Sequence, residues 1–393
     1  MVSTFVFATY FTEAVAADRE AGTALWGVAA AVSGVLIALL SPPLGAVADA
    51  GGARARMLAA FTAITVLATA ALWTVAPQPD HAARAIALVI VATVAFELAT
   101  VFYNAMLPAI APPGRLGRIS GLGWGCGYFG GLACLLAALF VLIRPDPAPF
   151  GLDKAQAEPV RACMLLVAVW IAVFAWPACV LIPDRGKARP WGAAIRGGMA
   201  EISALLRHLP RRPALARFLV ARLFYTDGLN TLFAFGAIYA AGKFGMTTEE
   251  VLLFGIGLNV TAGLGAAGFA LIEDRIGAKA TVLVSLAGLM ILGAGLLAVE
   301  GKALFWALGL PIGVFMGPAQ AASRSLMARM ATPGEESAHF GLFALSGRVT
   351  AFAGPAVLAA TVAATGSQTA GMATVLVFLG LGAAILLAVK APE

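Results

Sequence analysis

Charge is what this sequence has least of. Asp, Glu, Lys and Arg make up 12% of its 393 residues, against roughly 25% in a water-soluble domain. Apolar residues take 61%, and the mean hydropathy is +0.92. Spread along the whole length, that composition excludes a soluble globule, which could not bury so much apolar surface. Histidine is also scarce, and His81, His208 and His339 fall in loops or at a helix edge. None of the four cysteines (Cys126, Cys134, Cys163, Cys179) forms a Cys-x-x-Cys pair, so neither a disulfide framework nor a zinc site is expected. No G-x-x-x-x-G-K-[ST] loop supports ATP-driven transport, and no His/Cys/Asp cluster points to a metal site or an intramembrane protease. An enzyme, a cofactor and a bound metal are therefore all unexpected. The N-terminus MVSTFVFATYFTEAVA lacks the early Lys or Arg of a signal peptide, and more apolar sequence follows it. It reads as a first membrane helix.

What is there is a train of twelve apolar segments bounded by Gly, Pro or charge: 1–17, 23–47, 57–77, 85–108, 118–143, 160–182, 215–241, 249–272, 280–299, 303–325, 340–365 and 370–389. Segment 1 is short. Seventeen residues reach about 25 Å, less than the ~30 Å hydrocarbon core. The basic interruption 183–214 splits the segments six and six. We therefore expect an all-α membrane protein of twelve transmembrane helices, with bundles at 1–182 and 215–393 and a linker at 183–214. Lys and Arg set the orientation. With the N-terminus inside, the cytoplasmic loops and tail hold 17 and the outer loops 7; Arg222 and Arg348 lie within segments. Both termini and the central loop are then cytoplasmic, and the net charge of +6 follows from topology rather than nucleic-acid binding. Within the central loop, AAIRGGMAEISALLRHL reads either as an amphipathic helix on the inner membrane surface or as a solvated linker.

The two halves repeat. GAVADAGGAR after segment 2 and IEDRIGAK after segment 8 both read D-x-x-G-x-[RK], through Asp49, Gly52 and Arg54 and through Asp274, Gly277 and Lys279, at an offset of 225. Pro113/Pro333, Gly114/Gly334 and Gly121/Gly341 match after segments 4 and 10 at an offset of 220. Two matches in equivalent loops point to duplication of a six-helix unit, hence two pseudo-symmetric bundles. Asp49 is placed to meet the positive N-terminus of a neighbouring helix, while Arg54 and Arg56 meet lipid headgroups or a carboxylate. Such contacts act as a gate, or simply form tight turns with topology-setting charges.

Twelve segments, the six-plus-six split and the repeated D-x-x-G-x-[RK] resemble the major facilitator superfamily over nearly the whole chain. More narrowly, TYFTEAVA, SPPLGAVAD, FYNAMLPAI, RISGLGWGCGYFGG, YTDGLNTLFAFGAIYAAG, GPAQAASRSLMARM and FGLFALSGRVTAFAGP are similar to the branch holding the fungal vacuolar, autophagy-related amino-acid effluxers and their bacterial relatives. Two departures stand out. The branch leads one to expect D-W-A-N-S-x-Y before TFVF, whose absence leaves helix 1 truncated or its start misassigned. Ala50 stands where the superfamily pattern often has Arg.

The resemblance implies that segments 1, 4, 7 and 10 line a central cavity, and the polar residues agree. Segment 4 carries Thr93, Glu97, Thr100 and Asn104 on one face. Segment 1 has Thr9, Tyr10 and Glu13; segment 7 has Arg222, Tyr225, Thr226, Asp227 and Asn230; segment 10 has Gln320, Ser323 and Arg324. Segments 3, 9 and 12 carry no Asp, Glu, Lys or Arg, and segment 6 carries only Arg161 at its edge. An ionisable residue in hydrocarbon is costly unless paired or hydrated, which makes each a functional candidate. Glu97 and Asp227 read either as proton- or substrate-binding carboxylates or as structural acids bonded to a neighbouring helix. Glu13 reads as a cavity ligand or a solvated mouth residue, and Arg222 as a ligand or a side chain snorkelling to the cytoplasmic face. Arg348 is expected at an intracellular gate, with Asp49, Arg54, Asp274 and Lys279. Arg222 and Asp227 sit about 140° apart on an ideal helix and are not expected to pair. Gly228 reads as close packing rather than a helix break. In segment 5 the series Gly117–Gly121–Gly125 and Gly123–Gly127–Gly131 form small-residue faces. Trp124 and Tyr128 border the cavity or pack in the core.

The expectation is thus a monomeric secondary transporter of the bacterial inner membrane, exporting amino acids or similar small metabolites by alternating access, with protons as candidate co-substrate. Two alternatives stay open: a proton-coupled drug or sugar carrier, and a non-transporting sensor or assembly factor on this scaffold.

Overall fold

The computed structural model describes residues 2, 6–182, 184 and 189–390 (for Thr248 the backbone only), and among these there are helices and no strand. Within the central loop, residues 183 and 185–188 lie outside the described residues, as do 1, 3–5 and 391–393. Nine helices among the described residues are long and apolar enough to cross a membrane. Three more passes complete the twelve. The first is α1 (Ala8–Tyr10), continued by the π-helical Phe11–Val15. The second is α9 (Pro213–Phe244), which is 32 residues long but carries the charges of segment 7. The third is a broken pass, described below. The outward faces are apolar: Leu39, Leu67 and Ile291 are 66–71% exposed, as expected where lipid is the solvent.

Helix ends follow the sequence. Helix α2 (Arg19–Gly51) starts at Asp18, whose carboxylate accepts the Ala21 N–H at 2.7 Å. It stops at Gly52, and α10 (Thr248–Ile276) stops at Gly277, with φ of +57° and +89°. The glycine of each D-x-x-G-x-[RK] copy is therefore the residue that leaves the helix in a conformation other residues avoid. Gly114 and Gly334 of the second repeat likewise have positive φ, at +72° and +93°. The internal duplication is thus visible in backbone geometry as well as in residue type.

The chain forms two compact units, Met1–Tyr103 with Gly130–Met199, and Asn104–Phe129 with Ala200–Glu393. The division falls inside α4 (Ala82–Ala105) and α6 (Leu116–Ala137), so the first half of α6 belongs with the C-terminal helices. In the first unit, α3 (Arg54–Ala71) packs on α7 (Glu158–Leu181). Short as it is, the first pass is well packed: Phe7, Tyr10, Phe11 and Val15 are buried with Leu72, Val75, Cys134 and Met164, and the Tyr10 hydroxyl donates to Val75 O at 2.8 Å. The central loop contains α8 (Trp191–His208), where Trp191, Ile195, Met199 and Leu206 are exposed on one face, a pattern that favours the amphipathic-helix reading over the linker.

In the second unit, α9 packs on α15 (Gln368–Leu387), and α12 (Lys302–Met330) packs on α10 and on α11 (Ala278–Ala298). A Cβ at Gly228 would come within 3.2 Å of Phe378 and Leu379, so this glycine serves close packing and α9 runs unbroken through it. Of the two glycine series in α6, Gly117–Gly121–Gly125 meets α10: a Cβ on Gly121 would lie 2.6 Å from Ala270 Cβ and 2.8 Å from Ala266 O, whereas one on Gly127 would meet nothing within 4 Å. Between membrane helices such van der Waals fit is a principal attraction, because lipid tails are as apolar as the side chains. Gly121→Leu is expected to cost about 1–3 kcal/mol and to lower the melting temperature of the detergent-purified protein. Gly127→Leu, facing open space, should leave it nearly unchanged.

Candidate functional site

Segment 11 was expected as one helix over 340–365; it is two. Helix α13 (Glu336–Ser346) and α14 (Ala353–Thr365) are separated by turns at 347–352. A break inside a membrane leaves C=O groups at one end and N–H groups at the other without helical partners, and lipid supplies none. Segment 7 supplies them. Arg222 Nη1 donates to Phe343 O at 2.5 Å and to Ser346 Oγ at 2.8 Å, and its guanidinium carbon lies 3.4 Å from the centre of the Phe343 ring. Asp227 Oδ2 accepts the Gly354 N–H at 2.9 Å, in the first turn of α14. The cation thus sits at a helix C-terminus and the anion at an N-terminus, each where the peptide dipoles favour it. Arg222 and Asp227 do not pair with each other, as their spacing predicted. Arg222 is held within the unit by Phe343 and Ser346.

Beside the break lies a cavity of about 70 Å³, lined by Arg222, Tyr225, Thr226, Asn230 and Phe233 of α9, by Gln320 and Ser323 of α12, and by Trp124 and Phe343. Tyr225 OH and Ser323 Oγ are 2.7 Å apart, and Ser323 Oγ donates to Ala319 O at 2.6 Å, so the tyrosine is the donor of the pair. Gln320 donates to Tyr128 OH at 3.3 Å. Asp227, 2% exposed, is not among the lining residues; its carboxylate faces Gly354 instead. The two residues coupled as one candidate, Asp227 and Asn230, therefore point to different neighbours, and Asn230 is the one at the cavity.

Arg324 is not at the cavity either. It is 3% exposed and tied to α6, with Nε on Ser120 Oγ at 2.9 Å, Nη2 on Ser120 O at 2.5 Å and Nη1 on Asn104 Oδ1 at 3.3 Å. The Trp124 ring lies against its guanidinium, 5.1 Å away. At the next residue, Ser325 Oγ donates to Glu273 Oε1. Glu273, 1% exposed, went unnoticed in the sequence because segment 8 was ended at residue 272.

The repeated loops have diverged in use. Asp274 takes the role expected of Asp49: it accepts the N–H groups of Gly117 at 2.7 Å and Arg118 at 2.9 Å, capping the start of α6, and pairs with Arg329 at 3.0 Å. Asp49 instead pairs with Arg54 at 2.7 Å, and the start of α3 is capped by Asp184, which accepts the Ala55 N–H at 2.6 Å and pairs with Arg56 at 3.3 Å. Lys279 holds the C-terminal carbonyls of α15, Leu387 O at 2.8 Å and Val389 O at 2.7 Å. Arg348 lies, half-buried, in the turn that breaks segment 11. Nearby, His339 Nδ1 lies 2.8 Å from Glu335 O and Nε2 lies 3.4 Å from Arg212 Nη1.

The profile of vacuole effluxer Atg22-like proteins matches residues 21–116 and 114–393. The chain belongs to that family. It is an MFS-type transporter by family and fold, and that class is not enzymatic. It is similar to the MFS-type transporter YxiO of Bacillus subtilis (strain 168), 24% identical over 389 residues, which cover 98% of this chain and 90% of that one. To Autophagy-related protein 22 of Cryptococcus neoformans var. neoformans serotype D it is 25% identical over 285 residues, 67% of this chain and 50% of that one. The transporter thus spans most of the bacterial relative and about half the length of the fungal one. Its fold is that of the E. coli fucose:proton symporter FucP, with a TM-score of 0.68 at 12% identity over 99% of this chain and 91% of that one.

In the transporter's first unit, Glu13 lies exposed in the π-helical turn and Glu97 half-buried in α4. Asn104, about two turns beyond Glu97, is buried on Arg324 in the second unit. Because Asp227 acts as an acceptor for Gly354, Asp227→Asn should keep the fold, while Asp227→Leu should cost about 1–3 kcal/mol by leaving that N–H buried and unsatisfied. Thermal unfolding of the two variants separates the cases. In the same way Asp274→Ala should lose about 1 kcal/mol of capping and dipole energy at the start of α6, against a smaller loss in Asp274→Asn.

Proposed function

We propose that this transporter exports amino acids or similar small metabolites by alternating access, with the cavity beside α9 and α12 forming part of its solute site. The observation that carries the reading is that cavity: six polar side chains converge on a space walled by Trp124, Leu229, Phe233 and Phe343 in a chain otherwise starved of polarity. A broken membrane helix beside it adds support, since irregular backbone in membrane proteins is found where it is buried in protein or lines a cavity. The amino-acid class comes from the resemblance to the vacuolar effluxers. In this reading the Asp274 contacts with Gly117, Arg118 and Arg329 form the cytoplasmic gate, strong enough to hold and cheap enough to release during the cycle. Asp49 with Arg54, Lys279 and Arg348 hold the neighbouring loops and turns. Glu97 is the proton-binding candidate, being an acid half-buried in a membrane helix, whereas Asp227 caps the start of α14.

Proteoliposome transport of an amino-acid panel, with and without a pH gradient, tests this. Wild type should move at least one amino acid. Glu97→Gln should lose stimulation by the gradient, whereas Asp227→Asn should retain it. Unchanged gradient-driven transport in Glu97→Gln would remove Glu97 from the mechanism, and a panel with no transported solute would overturn the amino-acid assignment.

A further inference from the structure

We propose that the cavity beside the helix break is an anion subsite, in which Arg222 binds the carboxylate of the transported solute. The proposal deepens the transport reading and rests on it for the word solute. Two cations of the second unit, the half-buried Arg222 and the buried Arg324, were candidates for this role, and the structure separates them. Arg324 is spent on Ser120 and Asn104 and does not reach the cavity. Arg222 is the charged side chain among the lining residues, and the other polar ones are hydroxyls and amides, so the lining is net positive.

The guanidinium is also held ready. Phe343 O, Ser346 Oγ and the face of the Phe343 ring fix it at the cavity wall, so little side-chain freedom remains to be lost on binding. Its planar fork matches a carboxylate. The space suits the group: about 70 Å³ is room for a carboxylate or two waters, at roughly 30 Å³ per water. Around it, Asn230 and Thr226 offer donors, since the Tyr225 proton is already given to Ser323. Trp124, Phe233 and Phe343 supply apolar surface for the rest of a small molecule. A sugar has no group that needs this cation; an amino or carboxylic acid does.

The test uses the full chain purified in detergent and two matched probes, 4-methylpentanoate and its neutral amide. Binding is followed by ligand-dependent thermal stabilisation. Wild type should bind the carboxylate roughly tenfold to a hundredfold more tightly than the amide. Arg222→Gln should abolish the preference. Since Arg222 also holds the helix break, Asn230→Asp provides a second route: it leaves the Phe343 and Ser346 contacts in place, sets a carboxylate at the cavity wall and should abolish the preference as well, while Asn230→Ala keeps most of it. Equal binding of the two probes by wild type, or no binding of either, overturns the subsite. So does a preference that survives Asn230→Asp. Amino-acid transport in proteoliposomes alongside equal probe binding would sink the subsite and leave the transport reading standing; carboxylate preference with no transported amino acid would do the reverse.

Discussion

A membrane helix that stops must find partners for its broken backbone, and lipid offers none. That constraint accounts for the most conspicuous polar residues of the C-terminal half. The break at 347–352 exposes carbonyls at the end of α13 and amides at the start of α14. Arg222 meets the first set and Asp227 the second. Their separation of about 140° on α9, which forbids a mutual ion pair, is what lets one helix reach both sides of the gap. Two opposite charges in an apolar segment thus stand for two separate helix ends, each with the sign that its dipole favours. The capping of α6 by Asp274, of α3 by Asp184 and of α15 by Lys279 repeats the same chemistry elsewhere in the molecule.

Much of this was legible from residue order. The twelve segments, the duplication and the glycines that end α2 and α10 followed from hydropathy and from a motif whose glycine takes a positive φ. Of the polar residues that segments 7 and 10 carry, Tyr225, Thr226, Asn230, Gln320 and Ser323 line the cavity. What periodicity cannot say is which neighbour a polar face meets. Asp227 and Asn230 are three residues apart and share a stripe, yet one turns to Gly354 and the other to the cavity. Arg324 was grouped with Gln320 for the same reason, although four residues carry it down onto Ser120.

The break itself was illegible for a different reason. Segment 11 remains apolar through VTAFAG, and Gly347, Gly354 and Pro355 are common enough in membrane helices to be read as packing. The signal lay in another segment: a cation and an anion on α9 spaced so that they do not face each other. Gly228, on the same helix, is packed against Phe378 and Leu379, and α9 runs unbroken through it. Glu273 was lost to a boundary of a single residue, the ordinary hazard at the end of a span.

Structure and function are not alternatives at Arg222. A cation that only capped α13 would need no space beside it, and one that only bound solute would need no carbonyl to hold it. Arg222 has both a helix terminus and a cavity. A carboxylate bound in the proposed subsite would share the guanidinium with Phe343 O and Ser346 Oγ, so solute occupancy and the integrity of the helix break would depend on one side chain. Coupling of that kind needs no long chain of contacts: the ligand site and the deformable element differ in free energy through a single group. Asp227, held at the other side of the break and away from the cavity, would then keep α14 in place while the α13 side responds.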